Sequence, residues 1–395
     1  MRVAVVAEYY PRPRDPAWGI WAHRQATAVR EQGVEVRVVA LERPLPSLGD
    51  LRSGRLAGWA ARVLNPPRHT VMDGVPVRYV RFVSPPRPLS YPAWGRWAAR
   101  GVRRALDQGP RPGLVHAHYA VPAGDAVLRW IDRGNDVPLV VSVHGGDLSY
   151  TAARSNRGRE VVSRVLRAAD AVIANSEVTR RGIEQLTGPL PLLEVVHPGA
   201  DIPAAPPPRA PQPTLVTVAH LEPHKNQAAV IRAVAALQDR HPELRYVLIG
   251  KGPDRDRLAQ LAARLGVGER VSFAGPMDHA AALQHMARGW LHVMPSVHDA
   301  FGVAHVEAMA AGLPAVGGTG TGAEDIAAAG DGMVLVPSGD EGTLARSIDR
   351  IVSDPGERDR LGAAARRTVA EHFTWERNGE LTAAVYRRVT ERSRP

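Results

Sequence analysis

The chain predicts an α/β fold with two domains, and three observations carry that expectation. Its 395 residues, 44% of them hydrophobic, exceed what a single core usually serves. Short β-branched runs alternate with Ala/Leu/Arg stretches of helical period: VRVVAL near Val36, LVHAHY near Leu114, LVVSVHG near Leu139 and DAVIANS near Asp170. That alternation is the βαβ pattern of a parallel sheet. The pattern pauses at Pro203 to Pro213, PAAPPPRAPQP, which sustains neither helix nor central strand, and then restarts.

The opening MRVAVVAEYYPRP reads as a first buried β-strand, because its apolar run is too short for a signal-peptide core or a membrane span and ends in Pro11. After the proline run the order is TLVTVAH, a helix from about Asn226 to Arg240, YVLIG, a helix ending near Leu265, VSFAG, a short helix and LHVMPS. His220, Lys225, Gly250, Lys251, Gly275 and Asp299 all follow strands of this half, where open parallel sheets bind ligands. The expected boundaries are 1–203 for the N-terminal domain, 204–213 for the linker and 214–375 for the C-terminal domain. Residues 376–395 form a last helix that could pack back on the first domain.

Composition excludes some functions. No cysteine is present, so disulfides and thiolate metal sites are ruled out. The net charge of +10 is carried almost wholly by arginine, lysine standing only at Lys225 and Lys251. These arginines are scattered, no nucleic-acid-binding signature accompanies them, and no nucleic-acid partner is expected. Two segments are both amphipathic and basic, Leu51–Leu64 and Tyr91–Leu106, and Trp with Arg suits an anionic membrane surface as well as an ordinary helix with buried tryptophans.

The most informative stretch is Met294 to Gly312, MPSVHDAFGVAHVEAMAAG. Two carboxylates, Asp299 and Glu307, flank a Phe301-Gly302 turn that opens an Ala-rich helix at Val303. The free amides at such an opening and the helix dipole suit an anion, and the acids, being acceptors only, suit hydroxyl groups. Phosphate together with polyhydroxyl describes a sugar nucleotide. Lys225, at a helix start where a cation opposes the dipole, is expected to hold the donor diphosphate. Gly19, and the run Gly317 to Gly322, would let backbone approach the same group. His116 and His118 share one strand face, and without a readable third ligand they are not taken as a metal site. Asp254-Arg-Asp256 matches the D-x-D of metal-dependent transferases, but Asp254 stands where an ordinary helix cap would. No metal or other cofactor is expected.

These pieces, in this order, resemble the retaining glycosyltransferases of family 4, which share the GT-B fold. The resemblance rests on the Gly19-Ile20 loop, His116-Ala-His118, Ser142-Val-His144-Gly-Gly-Asp147, Ala174-Asn-Ser176 and Val196-His-Pro-Gly-Ala-Asp201. In the second half it rests on Val218-Ala-His-Leu with Lys225, Ile249-Gly-Lys-Gly-Pro253, Phe273-Ala-Gly275 and the acidic motif running to Glu307-Ala-Met-Ala-Ala-Gly-Leu-Pro314. It implies two Rossmann-like doubly wound domains facing across a cleft that closes on ligand. It also implies His144, Lys225 and Asp299 as catalytic residues, with Gly19, His220, Lys225, Gly252, Gly275, Asp299, Phe301, Gly302, Val303 and Glu307 binding the donor.

In that reading Glu307 accepts from the ribose hydroxyls, Asp299 touches donor-sugar hydroxyls and His144 orients the transferred sugar. Two departures from the family pattern stand out: Asp299 replaces a glutamate, and His220 stands where arginine is usual, which would weaken the phosphate grip or make it pH-dependent. The implied activity is transfer of a hexosyl group from a UDP- or GDP-sugar to a glycan or lipid-linked acceptor, in the cytoplasm or at the inner face of the plasma membrane, in envelope or exopolysaccharide biosynthesis. A sugar-nucleotide 2-epimerase and a non-catalytic nucleotide-sugar binding protein are the alternatives on the same architecture. A dehydrogenase is disfavoured because no G-x-G-x-x-G follows strand one.

Overall fold

A computed structural model describes residues 1–12, 15–44, 69–205 and 207–392. They divide into two compact units, Met1–His197 with Asn378–Pro395, and Pro198–Arg377.

In the first unit the strands are β1 (Arg2–Ala7), β2 (Glu35–Glu42), β3 (His69–Met72), β4 (Val75–Arg81), β5 (Leu114–His118), β6 (Leu139–Val143), β7 (Ala171–Ala174) and β8 (Leu193–Val195). Its helices are α1 (Ile20–Glu31), α2 (Trp94–Asp107), α3 (Asp125–Ile131), α4 (Asn156–Ala168) and α5 (Glu177–Thr187). The sheet order is β3-β4-β2-β1-β5-β6-β7-β8, parallel except for the edge hairpin β3-β4. Val3 of β1 registers with Val36 on one side and Leu114 on the other. Both faces of the sheet are covered, so its strands read as continuous apolar runs. Ser155 and Ser176 cap α4 and α5 by accepting from Gly158 N and Thr179 N, the helix-start signal of short polar side chains.

The second unit carries β9 (Thr214–Val218), β10 (Arg245–Ile249), β11 (Val271–Gly275), β12 (Leu291–Met294), β13 (Ala315–Gly318) and β14 (Met333–Val336). Helices α6 (Gln227–Ala236), α7 (Arg255–Arg264), α8 (His279–Ala287), α9 (Val303–Ala310), α10 (Ala323–Ala329), α11 (Glu341–Ser353) and α12 (Pro355–His372) surround them. The order β11-β10-β9-β12-β13-β14 reverses direction between β9 and β12, the switch point at which such sheets bind ligands.

The proline run, read as the interdomain linker 204–213, falls within the second unit, which begins at Pro198, and is hydrogen-bonded to the rest of that unit. Arg209 donates to Ala287 O at 2.7 Å and Gly312 O at 2.6 Å, serving carbonyls at the last residue of α8 and just beyond α9, where helix ends lack intrahelical donors. Ala210 N donates to Arg288 O, and Trp290 Nε1 donates to Ala210 O, each at 2.7 Å. Proline takes away ladder donors but leaves carbonyls and neighbouring side chains free to bond.

The last helix, α13 (Trp375–Arg392), belongs from Asn378 onward to the first unit. Gln25 Nε2 donates to Thr382 Oγ1 at 2.9 Å, and Asn378 Nδ2 to His197 O at 2.8 Å. Ala383, Val385, Tyr386 and Val389 join the core beneath β1. Among the described residues no helix is long and apolar enough to cross a membrane. Leu51–Leu64 lies outside the described residues.

Candidate functional site

At the switch point of the second sheet, the chain leaving β9 makes a turn, Pro223–Lys225, and Asn226 enters α6 with φ 56°. Lys225 is thereby held at the head of α6 and donates to Asp299 Oδ2 at 2.5 Å, each side chain only 17% exposed. Ser296 Oγ reaches the same oxygen at 3.4 Å. Two residues singled out separately as ligand contacts thus satisfy each other.

Glu307 sits in α9 and accepts from His279 Nε2 at 2.7 Å, its side chain 15% exposed. His279 carried no signal in the sequence: it is the first residue of α8, after the cap Asp278, and only the packing of α8 beside α9 brings it to the acid. Gly302 precedes α9 at φ 88°, a left-handed conformation open to glycine at little cost. It leaves the first amides of α9 without carbonyls one turn back.

Phe301 is 2% exposed and packs on Phe373 with ring centroids 5.8 Å apart, and Val303 packs against the same cluster. Their side chains anchor the turn from below, so what they offer a ligand is backbone. The run Gly317 to Gly322 is tied to this turn by Gly322 N donating to Asp299 O at 3.1 Å. A Cβ on Gly322 would lie 2.3 Å from Phe301 Cα, so glycine is needed there for loop-to-loop approach. Glu324 Oε1 accepts from Gly320 N at 2.7 Å.

His220 is exposed, its Nδ1 3.3 Å from Lys251 O. Gly252 closes on the backbone of Leu221, whose oxygen a Cβ would meet at 2.1 Å, whereas Gly275, at φ 77°, has open space beside it. Asp254 makes no side-chain cap. It accepts instead from Arg257 at 3.1 and 2.6 Å. Among the described residues no cluster of three or more His, Cys, Asp or Glu is arranged to hold a metal.

Beneath Lys225 lies a feature the sequence did not announce. His292 on β12 and His305 on α9 are buried edge to face, 5.0 Å apart. Burial, with the Lys225 charge adding to it, pushes His305 down to about 3 and His292 well below its ordinary range. Both rings are neutral and add no charge beneath Lys225.

In the first unit, Gly19 takes φ 69° before α1, and a Cβ there would strike Tyr9 C at 2.2 Å. His144 follows β6 and is part-exposed. Behind it, His118 Nδ1 lies 3.0 Å from His144 Nε2, while His116 bonds Tyr386 OH at 2.7 Å and Ser142 Oγ at 2.8 Å. Burial pushes His144 down to about 4 and His116 to about 3. The sequence placed His116 and His118 on one face but gave no sign of Tyr386, supplied by α13. It also missed buried Glu8, which accepts from Arg87 at 2.5 Å and Tyr91 at 2.7 Å.

Two doubly wound units, one with a lysine, two acids and a helix N-terminus at its switch point, define the GT-B class of transferases that use sugar nucleotides. Residues 19–203 match the model for Glycosyltransferase Family 4 and residues 200–368 that for Glycosyl transferases group 1. A D-inositol 3-phosphate glycosyltransferase of Kribbella flavida is 31% identical, over 91% of this chain and 91% of its own length. A glycogen synthase of Mycobacterium tuberculosis is 28% identical over 98% and 94%.

Among solved structures, sucrose-phosphate synthase from Thermosynechococcus elongatus superposes with a TM-score of 0.81 at 19% identity, covering 99% of this chain and 100% of that one. Anabaena HepE in complex with UDP-glucose superposes at 0.71 with 20% identity, over 98% and 100%. The chain belongs to the family 4 glycosyltransferases and is a glycosyltransferase of the GT-B type.

Proposed function

We propose that the chain is a retaining hexosyltransferase that takes its sugar from a UDP- or GDP-sugar and gives it to a hydroxyl of a glycan or lipid-linked acceptor, in envelope or exopolysaccharide biosynthesis, without a metal or other cofactor. The observation that carries this reading is the meeting of Lys225, Asp299 and the open amides of α9 at one switch point. The UDP-glucose complex of HepE supports UDP as the nucleotide.

The ammonium of Lys225, paired with Asp299, exchanges that carboxylate for the diphosphate, joined by His220 and the α9 amides. Asp299, released, is free to accept from hydroxyls of the donor sugar, and Glu307 accepts from the ribose. The bond from the anomeric carbon to the diphosphate breaks on the face where the acceptor oxygen attacks, and the acceptor proton passes to the leaving phosphate oxygen. Preorganised positive charge where negative charge grows is the principal contribution to the rate. His144 orients the sugar from the first unit.

Incubation with UDP- and GDP-hexoses and a glycan acceptor, followed by nucleotide release and NMR of the product anomer, tests the reading. Release of UDP or GDP with retained configuration is expected. An inverted product removes the stereochemical assignment, an epimerised donor makes the chain an epimerase, and binding without release makes it a carrier.

A position at the inner face of the plasma membrane is part of the same proposal. Arg96, Arg100 and Arg103 of α2 line one groove with Arg129 and Arg133, and Trp97 beside them is 37% exposed, a combination that favours anionic headgroups. Trp94, by contrast, is buried. The triple variant Arg96→Glu, Arg100→Glu and Arg103→Glu should lose flotation with vesicles containing phosphatidylglycerol. Unchanged flotation removes this face from the proposal.

A further inference from the structure

His144, whose ring packs on Trp21 and Tyr119, makes a side-chain hydrogen bond through Nε2. That nitrogen lies 3.0 Å from His118 Nδ1, and the two ring planes are only 6° apart, the in-plane approach that suits a hydrogen bond between imidazoles. One nitrogen must donate and the other accept, because two N–H groups or two lone pairs would repel at that distance. Both rings are neutral. Burial holds His144 near 4 and His118 well below its ordinary value, with His116 and His144 adding to the penalty on His118. His116 lies 4.6 Å from His118, ring to ring.

Two arrangements remain. In one, His118 donates from Nδ1, its Nε2 is a bare lone pair, and His144 carries its proton on Nδ1. In the other, His144 donates from Nε2, His118 carries its proton on its own Nε2, and His144 Nδ1 is bare. The deciding atom is His118 Nε2, which is buried and has no hydrogen-bond partner. The second arrangement makes it an orphaned N–H, and the first leaves only an unused acceptor. Buried N–H groups without partners are the rarer of the two. His116 does not dictate the choice, since the Tyr386 and Ser142 hydroxyls on its two nitrogens rotate to either role.

We propose that His118 is a positioning residue whose Nδ1–H donates to His144 Nε2, fixing His144 in the tautomer with its proton on Nδ1, where it can donate to a hydroxyl of the transferred sugar. The use of that proton rests on the role given to His144 above. The tautomer itself does not.

Long-range ¹H–¹⁵N spectra of the full chain labelled with ¹⁵N-histidine read the tautomers without substrate, His144 being assigned from the peaks missing in His144→Gln. An Nδ1–H pattern at His144 is expected, and an Nε2–H pattern in the unsubstituted chain overturns the proposal. His118→Asn puts an amide N–H where Nδ1–H stood and should keep both the pattern and kcat. His118→Phe should give mixed tautomers at His144 and lower kcat about tenfold, with the donor KM little changed. An unaltered His144 pattern in His118→Phe also overturns it. An Nδ1–H pattern in a chain that transfers no sugar supports the hydrogen-bond assignment and counts against the transferase reading alone.

Discussion

The two units share a sheet plan and differ in how they treat charge. In the second, Lys225 and Asp299 stand partly exposed as an ion pair, and Glu307 holds His279. In the first, the residues behind His144 are neutral imidazoles and hydroxyls, closed off by Tyr386 of α13. A site for a charged diphosphate needs ions that exchange partners at small cost, and partial exposure provides that. A group that only directs a hydroxyl needs a fixed neutral donor, and burial provides that.

Removing the cation should break the comparison most sharply. Lys225→Ala is expected to lower kcat/KM about 10²- to 10³-fold in a chain that still folds. Retention of full turnover would contradict the role of Lys225. Next, Glu307→Gln keeps the shape of the side chain but removes its charge-assisted acceptor, and UDP affinity by calorimetry should drop about tenfold. Unchanged affinity takes the ribose away from Glu307.

On the neutral side the effects are smaller. Tyr386→Phe leaves His116 Nδ1 without its 2.7 Å partner and should lower stability to denaturant by about 1 kcal/mol. A change in donor KM as large as that of Glu307→Gln would mean that the histidine cluster is part of the charged site. The last expectation is the absence of an effect. Burial lowers His144 to about 4 from the ordinary value of about 6.5, so it gains a proton only as the pH falls through about 4 and stays neutral above that. In the His220→Gln background, kcat/KM should therefore show no break from His144 between pH 5 and 8. A break near 6.5 that His144→Gln abolishes would show an imidazole in water.

Much of this was legible in the chain because it depends on local order. Alternating β-branched and helical stretches announced both sheets, and the Phe301-Gly302 turn before an Ala-rich run announced the opening of α9. What local order left open was the direction of side chains, which depends on distant neighbours. Phe301 and Val303 flank the turn in sequence, but the cluster around Phe373 takes their side chains inward, leaving only backbone outside. The proline run reads as a linker because proline ends elements, and the hydrogen bonds that Arg209 makes within the second unit could not be read from that composition.

The sequence by itself determined the periodicities, the glycines where the backbone turns left-handed, and the residue types of the donor site, since each follows from steric and hydrogen-bonding rules acting over a few residues. Which residues partner which was decided only by the tertiary structure. Lys225 meets Asp299, His279 meets Glu307, and Tyr386 meets His116 across 74, 28 and 270 positions of the chain. Such pairs form when the sheets bring distant loops together, and the same folding sets burial, which decides whether an imidazole is a charge or a neutral donor.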